Sequence, residues 1–234
     1  MQTSVPRQLN FYVASLVLAT ALAVVTPLLA SESVNFPSAL RQAGSAVQLS
    51  GYLYRPDGPG PFPAVVMLHG CSGLMTRSGK IAANARFWAE HLRDHGYVAL
   101  LVDSFTARGI DEVCTGRHNL SAVRDRADDA RPYAPLLVLI GAKDDWTPAA
   151  PCVHWTERAQ ALGAPMRLKV YPDAHHGFDA PNNPVHVRPE VRNRNKPGGC
   201  CGATIGTEPA ARADAICEVT QFFASELGGR GISP

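Results

Sequence analysis

Short apolar runs recur along the chain, and longer segments with helical periodicity separate them. Residues 64–70 (AVVMLHG), 97–103 (YVALLVD) and 135–141 (PLLVLIG) are unbroken apolar runs, and residues 166–172 (MRLKVYP) form a fourth run of strand length. Apolar runs of this length predict strands that are buried on both faces. Residues 46–56 alternate between apolar and polar positions instead, which predicts an edge hairpin.

Helical periodicity fills the intervals between these strands. Helices are predicted over residues 81–94, 148–162 and 209–227, together with a short, charged helix over residues 121–130. The residues expected to face the core are Phe87, Trp88 and Leu92 in the first helix, and Ile216, Val219, Phe222 and Phe223 in the last. Buried strands that alternate with helices predict an α/β fold, in which a mostly parallel sheet is flanked by helices.

The predicted sheet brings several loops to one edge. Residues 69–73, 103–108, 141–146 and 172–179 each follow a predicted strand and are rich in polar residues or glycine. In sheets of this kind, active sites lie at the carboxyl ends of the strands. The sequence therefore predicts a functional site at these four loops.

The first thirty residues differ from the rest of the chain. Arg7 is their only charged side chain, residues 11–25 are apolar or small, and a proline and small residues follow. This order is typical of a secretory signal, and the run is shorter than the roughly 20 residues of a membrane span. We expect a cleaved signal peptide over residues 1–30, an exported protein that is periplasmic or extracellular, and a single domain over residues 31–234. An uncleaved membrane anchor and a buried helix are the alternatives.

Charge and cysteine content narrow the classes of function. The net charge of +2 and the 18% of charged residues indicate no basic surface of the kind that binds nucleic acid or an anionic membrane. Six cysteines are present, and an oxidising compartment permits disulfides among them. The sequence does not select a pairing, and burial of several cysteines as small apolar side chains is the alternative.

A glycine-bracketed turn follows the first apolar strand. In this turn, backbone N–H groups can face a developing oxyanion without obstruction by side chains. An ordinary strand-to-helix turn is the alternative, although it would not need a histidine. The candidate oxyanion residues are His69, Gly70, Cys71, Ser72 and Gly73.

Two later loops carry an acid and a base. Asp144 and Asp145 follow the strand at residues 135–141, where a carboxylate can orient a histidine or stabilise a helix N-terminus. His175 and His176 follow the next strand, in a loop suited to proton transfer. The order of acid and then base is the order found in α/β-hydrolases.

Taken together, these segments resemble the dienelactone hydrolase family of α/β-hydrolases. The matching stretches are PAVVMLHGCSGL, GYVALLVDSF, PLLVLIGAKDDWTPA and VYPDAHHGFD, and residues 206–223 resemble the family's closing helix. The resemblance implies an α/β-hydrolase-like fold and hydrolysis of an ester or lactone, with neither cofactor nor metal. It implies that Asp144 is the triad acid, because Pro148 follows it in the family's pattern, and that His176, directly before Gly-Phe, is the base. It also implies that residues 69–73 contribute to the oxyanion hole.

The nucleophile is the part of the triad that the sequence does not supply. The family places a Ser or Cys on a strand-to-helix turn, in the pattern G-x-S-x-G or G-x-C-x-G. Cys200 in GGCCG fits these letters, but it follows the histidine and no apolar strand precedes it. Residues 104–134 contain no further apolar run. We therefore expect an internal deletion near residues 130–135 that removed the central strand, the nucleophile turn and its helix.

Three hypotheses about function remain. The first is a hydrolase of this family for a small-molecule ester or lactone, impaired or inactive without its nucleophile turn, with Ser72, Cys71 or Cys200 as substitute nucleophiles. The second is a non-catalytic binding protein or an inert descendant of the family. The third is a metal site of imidazole and thiolate ligands, whose spacing matches no zinc pattern. Its candidate ligands are His175, His176, His186, Cys200 and Cys201.

Overall fold

The structure is a computed structural model and describes residues 31–42, 45–115 and 134–228. The strands and helices in chain order are β1 (Glu32–Gln42), β2 (Ser45–Tyr54), β3 (Ala64–Leu68), α1 (Ala83–Asp94), β4 (Val98–Asp103), β5 (Leu136–Gly141), α2 (Ala149–Ala161), β6 (Met166–Tyr171), β7 (His186–Arg188), β8 (Ala203–Ile205) and α3 (Pro209–Leu227). None of the helices in these ranges has the length and apolar character needed to cross a bilayer. The predicted signal peptide and the predicted helix over residues 121–130 lie outside the described residues.

The described strands form three sheets. In the largest, the order is β1-β2-β4-β3; β3 and β4 are parallel, and the other neighbours are antiparallel. β5 and β6 form a separate parallel pair, and β7 and β8 a short antiparallel one. The predicted α/β fold class is confirmed, because the apolar strands pair in parallel and helices flank them, while the hairpins add antiparallel strands.

The sheet is interrupted between β3 and β5. Within the described part of the chain, β3 pairs only with β4, and β5 pairs only with β6. Each therefore has one edge without a strand partner. This is the position where the sequence predicts that the central strand is missing.

β3 is more exposed than the sequence predicts. Val66 and Leu68 are 61% and 69% exposed, and they alternate with the half-buried Val65 and Met67. The prediction that this strand is buried on both faces is wrong. Val65 and Met67 pack on the core beside α1, whereas the described residues leave the opposite face open to solvent.

The main core lies between α1 and the large sheet. Tyr97, Ala89 and Leu101 are almost fully buried there, and burial of a leucine side chain such as that of Leu101 contributes about 2 kcal/mol. The last helix closes this core, because Nε2 of His91 on α1 lies 2.8 Å from Oγ1 of Thr220 on α3.

The apolar stripe of α3 is only partly covered. Its fully buried residues are Ala211, Ala215 and Thr220 instead of the larger residues that the periodicity predicts to face the core. The larger side chains line an apolar cavity of about 530 Å³ beside β5, and those on α3 are Val219, Phe222 and Phe223. The interruption of the sheet explains this difference, since no described strand covers that side of β5.

Candidate active site

The loops after β5 and β6 bring Asp144 and His176 into direct contact. Nδ1 of His176 lies 3.0 Å from Oδ2 of Asp144. A close approach of the two loops makes this contact feasible: Gly141 has no side chain, and a Cβ there would collide with the carbonyl oxygen of Ala174. The backbone N–H of Lys143 donates to the same carbonyl at 3.0 Å.

Asp144 is buried, and both oxygens of its carboxylate accept hydrogen bonds. It is 7% exposed, and its Oδ1 accepts hydrogen bonds from the backbone N–H groups of Trp146 at 2.9 Å and Thr147 at 2.7 Å. The Thr147 hydroxyl donates to Oδ2 at 2.6 Å. Burial raises the pKa of Asp144, but hydrogen bonds from His176 and Thr147 outweigh it and hold the pKa below its usual range. The carboxylate is therefore ionised at neutral pH and oriented toward the imidazole.

The hydrogen bond to Asp144 fixes the tautomer of His176. A carboxylate only accepts, so Nδ1 carries the proton and Nε2 is left as the basic nitrogen. The ring also packs against that of Trp146, with centroids 4.8 Å apart and the two planes tilted by 53°. Within residues 31–42, 45–115 and 134–228, no serine, threonine or cysteine side chain hydrogen-bonds to Nε2. The residues predicted as acid and base are thus in contact, but no candidate nucleophile lies at Nε2 in this part of the chain.

His176 lines a cavity of about 400 Å³ together with the loop after β3. All five candidate oxyanion residues border this cavity, namely His69, Gly70, Cys71, Ser72 and Gly73. Apolar side chains of β3, α1 and the Trp146 loop form much of the remaining wall. The cavity is of the size and character that hold a small organic molecule.

A disulfide anchors the loop after β3. Cys71 is bonded to Cys114, and the carbonyl oxygen of Cys71 accepts a hydrogen bond from Val113 N–H at 2.8 Å. Gly73 has a φ of 78° and lies against the Asp111 carbonyl, so a side chain at this position would be both strained and obstructed. These contacts make residues 69–73 a fixed wall of the cavity.

The substitute nucleophiles considered from the sequence are engaged elsewhere. Cys71 has no free thiol because of its disulfide, and Cys200 is bonded to its neighbour Cys201. Ser72 Oγ lies 3.2 Å from Sγ of Cys114. The free cysteines among the described residues are Cys152 and Cys217.

The candidate metal ligands are not brought together. His175 Nδ1 lies 3.0 Å from the Lys143 carbonyl oxygen, and His186 Nδ1 lies 2.8 Å from that of Pro184. Across the described ranges, no three His, Cys, Asp or Glu side chains are arranged to hold a metal ion.

Sequence reasoning missed a strap over residues 182–206, which contains β7 and β8. Asp145 fastens it: Oδ1 accepts from the backbone N–H of Thr204 at 2.8 Å, and Oδ2 pairs with Nζ of Lys196 at 3.0 Å. The fully buried Asn193 donates to the Asp145 carbonyl at 3.0 Å. Asp144 and Asp145 thus have separate roles, one toward His176 and one toward the strap. The segment has little apolar periodicity. Its glycines and asparagines, which favour turns, are the sequence signal that indicates close backbone contacts there.

The fold is α/β-hydrolase-like, and solved structures support this fold class. A protein from Klebsiella pneumoniae that is assigned as a dienelactone hydrolase superimposes with a TM-score of 0.52 at 15% identity, covering 82% of this chain and 99% of that chain. The apo form of Thermogutta terrifontis esterase 2 superimposes with a TM-score of 0.51 at 14% identity, covering 87% of this chain and 97% of that chain. At these identities the similarity establishes the fold.

The sequence itself also matches a family. The profile of the dienelactone hydrolase family matches residues 116–227, which include both Asp144 and His176. This match confirms the resemblance to the dienelactone hydrolase family that was noted from the motifs. No curated protein matches the chain in sequence.

Proposed function

We propose that this protein is a hydrolase for a small ester or lactone, with Asp144 and His176 as its acid and base. The observation that carries this proposal is the 3.0 Å contact between Oδ2 of Asp144 and Nδ1 of His176, beside a cavity also bordered by residues 69–73. An imidazole held by a buried carboxylate is oriented for proton transfer at Nε2. The carboxylate also stabilises the imidazolium that forms.

The reaction proposed for this arrangement uses water as the nucleophile. The oxygen of a water molecule attacks the carbonyl carbon while Nε2 of His176 takes a proton, and the negative charge develops on the carbonyl oxygen facing residues 69–73. The proton then passes to the leaving oxygen as the ester or lactone C–O bond breaks. Because this step lacks a covalent acyl intermediate, we propose that turnover is impaired relative to a complete triad.

The cavity limits the substrate to a small molecule. Its volume of about 400 Å³ and its mixed wall, with Trp88, Trp146 and Leu74 beside His69 and Asn183, suit an apolar acyl group with a polar carbonyl end.

Turnover of p-nitrophenyl acetate and of a simple lactone tests this proposal. The variants His176→Ala and Asp144→Ala are expected to lower kcat/KM by about 10²-fold or more, the usual contribution of a general base. His175→Ala is the matched control, because the neighbouring imidazole contacts the Lys143 carbonyl instead of Asp144. Absence of turnover above the uncatalysed rate in the folded protein would overturn the proposal.

A non-catalytic binding protein is the second candidate, favoured by the lack of a hydroxyl or thiol at Nε2 of His176 within the described residues. This alternative expects a lactone or ester analogue to bind in the cavity without being hydrolysed. It also expects the affinity to survive His176→Ala, which calorimetry on the two proteins would measure.

We further propose that the protein is exported after removal of residues 1–30. The signal-like pattern of these residues supports export, as does the disulfide between Cys71 and Cys114, since structural disulfides persist mainly in oxidising compartments. N-terminal mass spectrometry of protein from cell fractions tests it. A mature chain that begins near Ser31 outside the cytosol is the expected result, and a full-length chain in the cytosol would contradict it.

A further inference from the structure

A histidine–serine pair, separate from Asp144 and His176, lies at the carboxyl ends of β3 and β4. Oγ of Ser104 is 3.0 Å from Nε2 of His69, and the backbone N–H of Ser104 points to the same nitrogen at 3.3 Å. On the other side of the ring, Nδ1 of His69 lies 2.9 Å from the carbonyl oxygen of Gly70. A serine hydroxyl hydrogen-bonded to an imidazole is the basic arrangement of an activated nucleophile.

The three contacts show which ring nitrogen of His69 carries the proton. The Gly70 carbonyl can only accept, so Nδ1 is the protonated nitrogen. The backbone N–H of Ser104 can only donate, so Nε2 is the unprotonated acceptor. The Ser104 hydroxyl therefore donates its proton to Nε2, which is the direction of transfer that an attack by Oγ requires.

Neighbouring groups hold both members of the pair. The ring of Phe105 meets that of His69 edge to face, with centroids 4.4 Å apart. Asp103, 3% exposed, accepts from the backbone N–H groups of Phe105 at 3.1 Å and Thr106 at 3.0 Å, which fixes the turn that presents Ser104. Burial raises the pKa of Asp103, but hydrogen bonds from Thr106 and Phe105 and the nearby His69 hold that pKa below its usual range.

The imidazole of this pair borders the cavity. His69 lines the 400 Å³ cavity, and both His69 and Ser104 are half-buried, so neither is sealed inside the core. Ser104 directly follows β4, and residues 69–73 directly follow the parallel strand β3, so both lie at the same edge of the sheet. An acyl group in the cavity would therefore meet the loop that contains the imidazole.

We propose that Ser104 is a nucleophile activated by His69 that accepts acyl groups from small activated esters. Ser104 Oγ attacks the acyl carbon, forming an Oγ–C bond, and its proton moves to Nε2 of His69. The bond between the acyl carbon and the leaving oxygen breaks, and the proton passes from Nε2 to the leaving alkoxide or phenoxide. The products are the acyl-serine and the released alcohol or phenol, and the acyl-serine accumulates because no further catalytic group among the described residues activates water against it. This step needs neither Asp144 nor His176, so it goes beyond the function proposed above.

Acetylation by p-nitrophenyl acetate tests the inference. After acid quenching and proteolysis, mass spectrometry is expected to find one acetyl group on the peptide that contains Ser104. Ser104→Ala should abolish this label, and His69→Gln, which keeps a polar side chain but removes the basic nitrogen, should slow acetylation by about 10²-fold or more. Ser78→Ala, an exposed serine outside the cavity, is the control for non-specific acetylation.

Further outcomes separate this inference from the proposed hydrolysis. In His176→Ala, which is expected to lose that hydrolysis, acetylation of Ser104 should persist. An unlabelled Ser104 in the folded protein would overturn the inference even if hydrolysis that depends on His176 were found. Equal acetylation in His69→Gln would also overturn it, since Ser104 would then react without its partner. Circular dichroism of each variant establishes that the chain is folded.

Discussion

The disulfide between Cys71 and Cys114 gives the clearest prediction about stability. All residues of the loop it closes are described, and the two cysteines are 43 positions apart. A cross-link over a loop of this length restricts the unfolded chain, and the loop-closure relation gives about 4 kcal/mol of stabilisation. The variant Cys71→Ala/Cys114→Ala is therefore expected to lower the free energy of unfolding by about 4 kcal/mol. Alanine avoids an unpaired hydroxyl at the buried position 114.

Guanidinium unfolding, followed by circular dichroism and tryptophan fluorescence, measures this difference. The matched control is Cys200→Ala/Cys201→Ala, because that disulfide joins adjacent residues and restricts almost no chain. Its expected effect is below about 1 kcal/mol. Reduction of the wild type should reproduce the loss seen in the Cys71–Cys114 variant.

A loss below about 1 kcal/mol on removing the Cys71–Cys114 bond would refute the reasoning. It would mean that the bond does not form in the folded protein, or that the unfolded chain keeps these segments close without it. An equal loss in the Cys200–Cys201 control would refute it as well, since loop length would then not determine the effect.

Three further predictions concern single side chains. The lowered pKa of Asp144 means that its stabilising contribution is present above its unfolded pKa of about 3.9 and is lost as pH falls through the folded pKa; unfolding of Asp144→Asn from neutral to acid pH should therefore show a gap from wild type that closes in acid. Asp145→Ala removes the anchor of the strap, so it should speed amide exchange at Thr204 by an amount equivalent to about 1.5–3 kcal/mol, and unchanged exchange would contradict this role. Leu68→Ser should change the free energy of unfolding by less than about 0.5 kcal/mol, because Leu68 on β3 is 69% exposed. Leu101→Ala on β4, at 1% exposure, should cost about 2–5 kcal/mol, and equal effects of the two variants in chemical denaturation would contradict the exposure of Leu68 described above.

The helices and apolar strands were predictable because their signals are local. The segments predicted over residues 81–94, 148–162 and 209–227 are α1, α2 and α3 with bounds shifted by at most two residues. β7 and β8 were not predictable. Each has only three residues, and the two strands pair with each other across the residues that separate them in the strap. Their stability comes from contacts such as that of Asp145 with Thr204, which are distant in sequence.

The acid and base of the candidate site were predictable from the sequence, but the contact between Ser104 and His69 was not. The family resemblance singled out Asp144 and His176, and the structure brings them to 3.0 Å. A serine after a strand is common, so Ser104 carries no signal of its own in the sequence. Its contact with His69 depends on the parallel alignment of β3 and β4, which only the structure shows.

The sequence by itself determined the resemblance to the dienelactone hydrolase family, the α/β class and the absence of a G-x-S-x-G pattern, since each depends on residue type, periodicity and short spacing. Only the tertiary structure decided how the interrupted sheet exposes Val66 and Leu68, which cysteines are bonded, and which hydroxyl meets an imidazole. Burial and contact of this kind depend on which segments pack together. A run such as AVVML has the same pattern whether or not a neighbouring strand and helix cover it.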